Sequence, residues 1–281
     1  MKTAKELSMI ASQVRRDVVR MVHAMQSGHP GAPLGCADFF SAVYFRILRH
    51  DPFAFDMDGA GQDLFFLSNG HLSAGWYSVL ARSGYFEVSE LSTFRKIDSR
   101  LQGHPATKEG LPGVRVASGS LGQGLSVAIG AALTKRLNSD PHLVYVLLGD
   151  GELQEGQIWE AAMFAAGRKV DNLIAVVDYN GQQIDGPVKE VMPLGNLKAK
   201  WESFGWQVLE TDGNKLKVLL ETLEEAKSLT GKNKPVMILM QTVMGKGVDF
   251  MENSHKWHGS PPNDEQLERA LAQLEETLGD Y

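Results

Sequence analysis

Residues 143–184 read LVYVLLGDGELQEGQIWEAAMFAAGRKVDNLIAVVDYNGQQI, and this stretch decides the fold. The apolar, β-branched run Leu143 to Leu148 is short enough for a buried strand, and it breaks at Gly149-Asp150-Gly151. From Glu152 to about Gly167 the residues suit a helix, with Ile158, Ala161, Ala162, Ala165 and Ala166 on one small-residue face. A second apolar run, Leu173 to Val177, ends at Asp178-Tyr179-Asn180-Gly181. Strand, helix, strand at this spacing predicts a right-handed parallel unit whose two strands end on one sheet edge. Open α/β sheets bind ligands at that edge. The spacing therefore predicts that the Asp150 carboxylate and the Asn180 side-chain carbonyl converge there. Hard oxygen ligands suit magnesium, and the flanking glycines let backbone N–H groups approach a phosphate. Gly-Asp-Gly alone arises by composition, and its weight here comes from lying between strand and helix, with Asn180 closing the next strand.

The rest of the chain repeats the alternation. Thr3 with Glu6 forms a capping-box pattern ahead of a helical stripe from Leu7 to Met25, which should stop at Ser27-Gly28; His23 beside the stripe reads as structural. SGHPGAPLG, residues 27–35, predicts an irregular turn holding His29, with a second helix over about Gly35 to Leu48. Leu64 to Leu67 reads as a strand ending in Ser68-Asn69-Gly70-His71, with helix from about Leu72 to Arg82. Residues 98–120 are a long Gly- and Pro-containing loop of the kind that is functional or disordered. Gly119-Ser120-Leu121-Gly122-Gln123-Gly124 then runs into a helix through Val127, Ile129 and Leu133. It is neither a Rossmann fingerprint nor a P-loop, which counts against nicotinamide and ATP.

Helix is expected over Asn196 to Phe204 and Lys215 to Leu229, and strand over Gln207 to Leu209 and Val236 to Gln241. A surface helix is expected over about 265–278. The pattern predicts a three-layer α/β/α fold with a mainly parallel sheet, as one domain over 1–281.

Composition removes several function classes. At 281 residues, 43% hydrophobic and 22% charged, the chain reads as an ordinary globular protein. A net charge of −6 with no basic stripe argues against nucleic acid. One cysteine, Cys36, permits neither a disulfide framework nor a zinc site. The amino terminus lacks a signal-like apolar core, and no run is long enough to span a membrane, so a cytoplasmic protein is expected.

Of the eight histidines, His50 and His142 read as solvent-exposed. His29, His71, His104 and His258 each lie in a Gly- or Pro-constrained turn, where loops at a sheet edge could bring them together. His255 and His258 have ligand-like spacing but no third ligand.

SGHPGAPLG at 27–35, SNGH at 68–71, GHP at 103–105, GSLGQG at 119–124, GDG at 149–151 with Asn180, and His258 within HKWHG, in this order, resemble transketolase over roughly residues 5–260. The resemblance implies a thiamine diphosphate-binding fold. Asp150, Asn180 and the backbone carbonyl of Gln182 would hold Mg2+, or another divalent cation such as Ca2+ or Mn2+. It further implies that Gly151, His71 and His258 touch the diphosphate, and that Gly119, Ser120 and Leu121 line the aminopyrimidine. His29, His104 and His258 would face the sugar, and Glu155 would couple two active sites across a dimer. Ser120 stands where the family often has proline, and Gln182 where an apolar residue is common; both contacts concerned are mainly backbone.

Transketolases of the usual kind continue into a pyrimidine-binding domain and a third domain. The chain thus resembles the N-terminal subunit of a split transketolase, expected to work as a homodimer within an α2β2 assembly with a separate C-terminal subunit. The substrates implied are sugar phosphates, between which a two-carbon ketol unit moves. Two kinds of alternative stay open: another thiamine diphosphate enzyme (a deoxyxylulose phosphate synthase-like half or a 2-oxo acid dehydrogenase α chain), or a cofactor-binding module without turnover.

Overall fold

The computed structural model describes residues 2–281. Helix α1 (Ala4–Ala24) opens with Thr3 Oγ1 accepting from Glu6 N while Glu6 accepts from Thr3 N, the reciprocal cap expected from the sequence. It is followed by α2 (Gly31–Ala42), which continues into a π turn over Val43–Ile47. Strand β1 (Leu64–Leu67) leads through a 3₁₀ turn into α3 (Ser73–Arg82), and α4 (Gly124–Leu137) precedes β2 (Val144–Gly149). The central unit continues with α5 (Gly156–Gly167) and β3 (Leu173–Tyr179). A small antiparallel pair, β4 (Gln182–Gln183) and β5 (Gly186–Pro187), carries the chain into the one-turn α6 (Val188–Val191). Then come α7 (Leu197–Ser203), β6 (Gln207–Asp212), α8 (Leu216–Leu229), β7 (Val236–Gln241) and α9 (Asp264–Gln273).

Five strands form one sheet in the order β1-β2-β3-β7-β6, every neighbouring pair parallel. Alternation along β2 sends Tyr145 and Leu147 to one face, where α1, α2, α3 and α8 pack, and Val144, Val146 and Leu148 to the other, against α4 and α5. With both faces covered, the strands read as continuous apolar runs, the pattern of a parallel sheet. This is the three-layer arrangement expected from the sequence.

Four expectations need correction. The helix expected from Glu152 begins later: residues 151–154 form a 3₁₀ turn and Glu155 is extended (φ −70°, ψ 128°), so α5 starts at Gly156. Glu152 turns inward to accept backbone N–H groups, which ties that turn down before the helix starts. The second helix starts at Gly31, not Gly35, because Pro33 lies in the first turn, where its missing N–H has no helical partner to lose. A Cβ on Gly31 would meet Met244 Cγ at 2.7 Å and the Trp257 carbonyl oxygen at 2.8 Å, so the glycine there serves close packing of the segment after β7. His50 and His142 are half-buried and hydrogen-bonded: His50 bridges Tyr85 Oη (2.9 Å) and the Tyr44 carbonyl (2.8 Å), and His142 Nδ1 meets Asp140 Oδ1 at 2.6 Å. Finally, the last helix ends at Gln273. The segment beyond it lies along α1, where Arg16 binds the carbonyls of Leu271 and Leu274 and the Asp280 carboxylate. His23 is structural, joined to Asp264 at 2.8 Å.

Candidate active site

The carboxyl ends of β1, β2 and β3 carry SNGH, GDG and DYNG, and the turns there enclose a cavity of about 210 Å³. It is lined by Asp150, Gly151, Asn180, Gln182, His71 and His258, together with Leu121 and Glu155. The convergence expected of Asp150 and Asn180 is therefore present. Asp150 is 2% exposed. Its Oδ1 accepts Gly151 N at 2.8 Å and its Oδ2 accepts Gly181 N at 2.6 Å. Asn180 Oδ1 accepts Gln182 N at 2.8 Å, and its Nδ2 donates to Asp178 Oδ2 at 2.8 Å. The amide thereby has its oxygen turned away from the carboxylate behind it.

The electrostatics favour a cation. Burial, reinforced by the nearby Asp178 carboxylate, pushes Asp150 up to about 7. No lysine, arginine or histidine among the described residues pairs with either carboxylate. Two buried acids without a cation are costly, and a divalent ion bound by oxygen ligands relieves that cost. The Asp150 carboxylate and the Asn180 amide oxygen, both on the cavity, are hard oxygen donors of the kind magnesium takes. Groups of three or more His, Cys, Asp or Glu that could hold a metal are absent among the described residues.

The four turn histidines meet. His29 lies 5.5 Å from His71, 5.8 Å from His104 and 5.6 Å from His258, ring centre to ring centre, and His71 lies 4.9 Å from His258. His104 is exposed and the other three are partly buried. Burial, with the neighbouring His258, Arg95 and His104, depresses His29 to about 4. Burial also lowers His71, His104 and His258. All four are neutral near pH 7. His29 Nδ1 and His258 Nδ1 are buried without a protein partner, as are both amide atoms of Asn69 at the end of β1. Of the residues carrying these orphaned atoms only His258 lines the glycine-walled cavity, where an unpartnered polar nitrogen suits a polar, phosphate-bearing cofactor.

His29 and His104 lie outside the lining of this cavity. Gly119 packs against His104, since a Cβ there would meet His104 Cγ at 3.0 Å, and Ser120 is exposed beside it. Glu155, exposed, stands at the residue before α5, its side chain close against Gly122 and making no capping hydrogen bond.

Two acids that brace the site do not stand out as site residues in the sequence. Glu152 is buried and accepts Ser68 Oγ, Gly122 N (2.8 Å) and Gly149 N (3.0 Å), while Ser68 Oγ accepts Gly124 N at 3.1 Å. One carboxylate thus joins the SNGH, GSLGQG and GDG turns. Asp178, fully enclosed, accepts Thr242 Oγ1 and Asn180 Nδ2, with the Cys36 thiol also against it. The available signal is an acid next to each strand-end turn.

The model of the family described as "Transketolase, thiamine diphosphate binding domain" matches residues 7–279. The chain is 38% identical over 272 residues to one of the subunits of the apulose-4-phosphate transketolase of Actinobacillus succinogenes, covering 96% of each. It is also 38% identical to the SqwG subunit of the 6-deoxy-6-sulfo-D-fructose transketolase of Clostridium sp. MSTE9, covering 94% of each. Among solved structures, transketolase of Campylobacter jejuni superposes with a TM-score of 0.89 at 34% identity, over 98% of this chain and 43% of that one. The chain therefore spans less than half of that enzyme while matching the two single subunits nearly end to end. With the cavity at the strand ends and a match over almost its whole length, the chain belongs to the transketolase family, in its thiamine diphosphate-binding domain.

Proposed function

We propose that this chain is the N-terminal subunit of a split transketolase, a single domain over 1–281 holding the diphosphate end of thiamine diphosphate. With a separate C-terminal subunit it transfers a two-carbon ketol unit from a ketose phosphate to an aldose phosphate. The observation that carries the reading is the convergence of Asp150, Gly151, Asn180, Gln182, His71 and His258 on one cavity at the carboxyl ends of parallel strands.

In this reading Asp150, the Asn180 side-chain oxygen and the Gln182 backbone carbonyl hold Mg2+, which neutralises the diphosphate. Gly151, His71 and His258 would touch the diphosphate, and Gly119, Ser120 and Leu121 would line the aminopyrimidine. Thiamine diphosphate, when bound, supplies the electron sink for breaking and making the carbon–carbon bond, which no side chain provides. His29, His104 and His258 would orient the sugar and carry protons to and from its carbonyl and hydroxyl oxygens. Neutral imidazoles both donate and accept near pH 7.

The assembly is part of the proposal. Val127 and Leu137 on α4 and Met163 and Phe164 on α5 are exposed, around a largely apolar groove of about 430 Å³ between the two helices. An apolar face of this kind suits a second copy of the chain. Glu155 at the start of α5 then lies near that contact, and an α2β2 complex follows. Among the described residues no helix is long and apolar enough to cross a membrane, and the one cysteine is buried and free, in keeping with a reducing cytoplasm.

Anomalous scattering from crystals of the complex grown with Mn2+ and thiamine diphosphate tests the site. A manganese peak within about 2.3 Å of Asp150 and Asn180 oxygens is expected. A cofactor bound with its metal elsewhere on the chain contradicts the assignment.

A further inference from the structure

Arg95 stands behind the histidine cluster and has no role in the reading above. It adopts a left-handed backbone (φ 58°), unusual for a side chain of its size, and its N–H is held by the Leu101 carbonyl at 2.8 Å. Its Nη1 donates to Ser27 Oγ at 2.9 Å, two residues before His29. Its Nε and Nη2 edge lies under Gly103, the residue before His104. A Cβ on Gly103 would meet Arg95 Cζ at 2.5 Å and Nε at 2.7 Å, so that position admits glycine alone while the guanidinium stays. Both of those nitrogens are buried without a hydrogen-bond partner, and no carboxylate among the described residues forms an ion pair with the guanidinium. The Phe94 ring lies 5.6 Å from Cζ.

We propose that Arg95 is a positioning residue for the His29–His104 pair, its guanidinium tying the SGHP turn to the QGHP turn and keeping an uncompensated positive charge behind both imidazoles. A half-buried guanidinium with two enclosed, unpartnered nitrogens and no carboxylate is expensive, so a fold that retains one gains something from it. Proton transfer near neutrality gains two imidazoles that stay uncharged, since a second positive charge beside Arg95 is penalised. His29 is faced by His258, Arg95, His104 and His71, and His104 by Arg95 and His29. Arg95 is the one permanently charged group in that set. Arg95 lowers both histidines, in each case behind the larger effect of burial. The inference rests on His29 and His104 serving the sugar side, but its test requires no turnover.

The test is an NMR titration of histidine ring signals between about pH 4 and pH 8 on the full chain labelled at histidine, assigned with His29→Gln and His104→Gln. Arg95→Met should move the midpoints of His29 and His104 upward by roughly 0.5–1 pH unit, as loss of a nearby like charge requires. Arg95→Lys, which restores charge without the fork that reaches Ser27, should return them to within about 0.3 unit of the parent. Coincident midpoints in the parent and Arg95→Met overturn the proposal, as does an upward shift in Arg95→Lys equal to that in Arg95→Met. Should Arg95→Met fail to fold, the parent still decides: His29 or His104 titrating at or above the ordinary value of about 6.5 contradicts the account.

Discussion

Asp150 Oδ2 accepts the backbone N–H of Gly181 at 2.6 Å, so the carboxylate that ends β2 is fastened to the turn that ends β3. Two loops 31 residues apart in the chain are thereby set into one rim, with the Asn180 amide held beside it. A carboxylate in this position both shapes the rim and supplies its negative charge. Asp150→Ala should weaken joint binding of magnesium and thiamine diphosphate by more than the 10- to 100-fold that loss of an outer-shell partner costs. Calorimetry on the assembled complex checks this, and unchanged affinity would remove Asp150 from the metal site.

Asp178 acts one step further back. By accepting Asn180 Nδ2 it fixes which end of that amide faces the cavity. Asp178→Ala should lower metal and cofactor affinity by about 10- to 100-fold while the chain stays folded. Equal affinities, measured in the same calorimetric format with folding confirmed by circular dichroism, would show that Asn180 needs no such brace.

His29 and His104 are assigned to the sugar. Alanine at either should slow ketol transfer by roughly 10²- to 10⁴-fold, the range for a positioned acid or base, with cofactor affinity nearly unchanged. Steady-state rates at saturating cofactor read the first effect and calorimetry the second. A variant that loses cofactor yet turns over normally when saturated would move that histidine to the phosphate side.

Acid should loosen the fold through the same residues. His29 is held near 4, below the ordinary histidine value, so the unfolded chain takes up its proton first as pH falls. The sign follows: between about pH 6.5 and pH 4 the unfolded state binds more protons at this site, so stability is lost as the pH drops through that window. Urea midpoints at pH 7 and pH 5 measure the effect, and His29→Gln should show the smaller drop. An equal or larger drop in the variant would mean that His29 does not titrate as its burial implies.

Much of this architecture was legible because it follows local rules. The Leu143 to Leu148 and Leu173 to Val177 runs, with a small-residue helix between them, read as parallel strands joined by a crossover, and the structure pairs them so. Gly149 and Gly181 marked where those strands stop. The parts that were not legible depend on partners distant in the chain. Glu152 reads as the first residue of a helix until Gly122 N and Ser68 Oγ draw its carboxylate inward. Met244 and the Trp257 carbonyl close over Gly31, the first residue of α2, because it has no Cβ, a contact across more than two hundred positions. His50 reads as exposed because the turn at 50–52 gives no sign that the Tyr44 carbonyl and the Tyr85 hydroxyl, the latter 35 residues away, close on its ring. Arg95 was illegible for the same reason, since its contacts with Ser27 and Gly103 join loops that periodicity does not describe.

The central claim is that this chain is one half of a two-chain transketolase. The most direct measurement is ketol transfer between a ketose phosphate and an aldose phosphate, with magnesium and thiamine diphosphate present. It is run with this chain alone, with the companion chain alone, with both, and with both when this chain carries Asp150→Ala. The account predicts turnover in the third mixture and at most a trace in the other three. Full turnover by this chain alone, or by the mixture carrying Asp150→Ala, would contradict it.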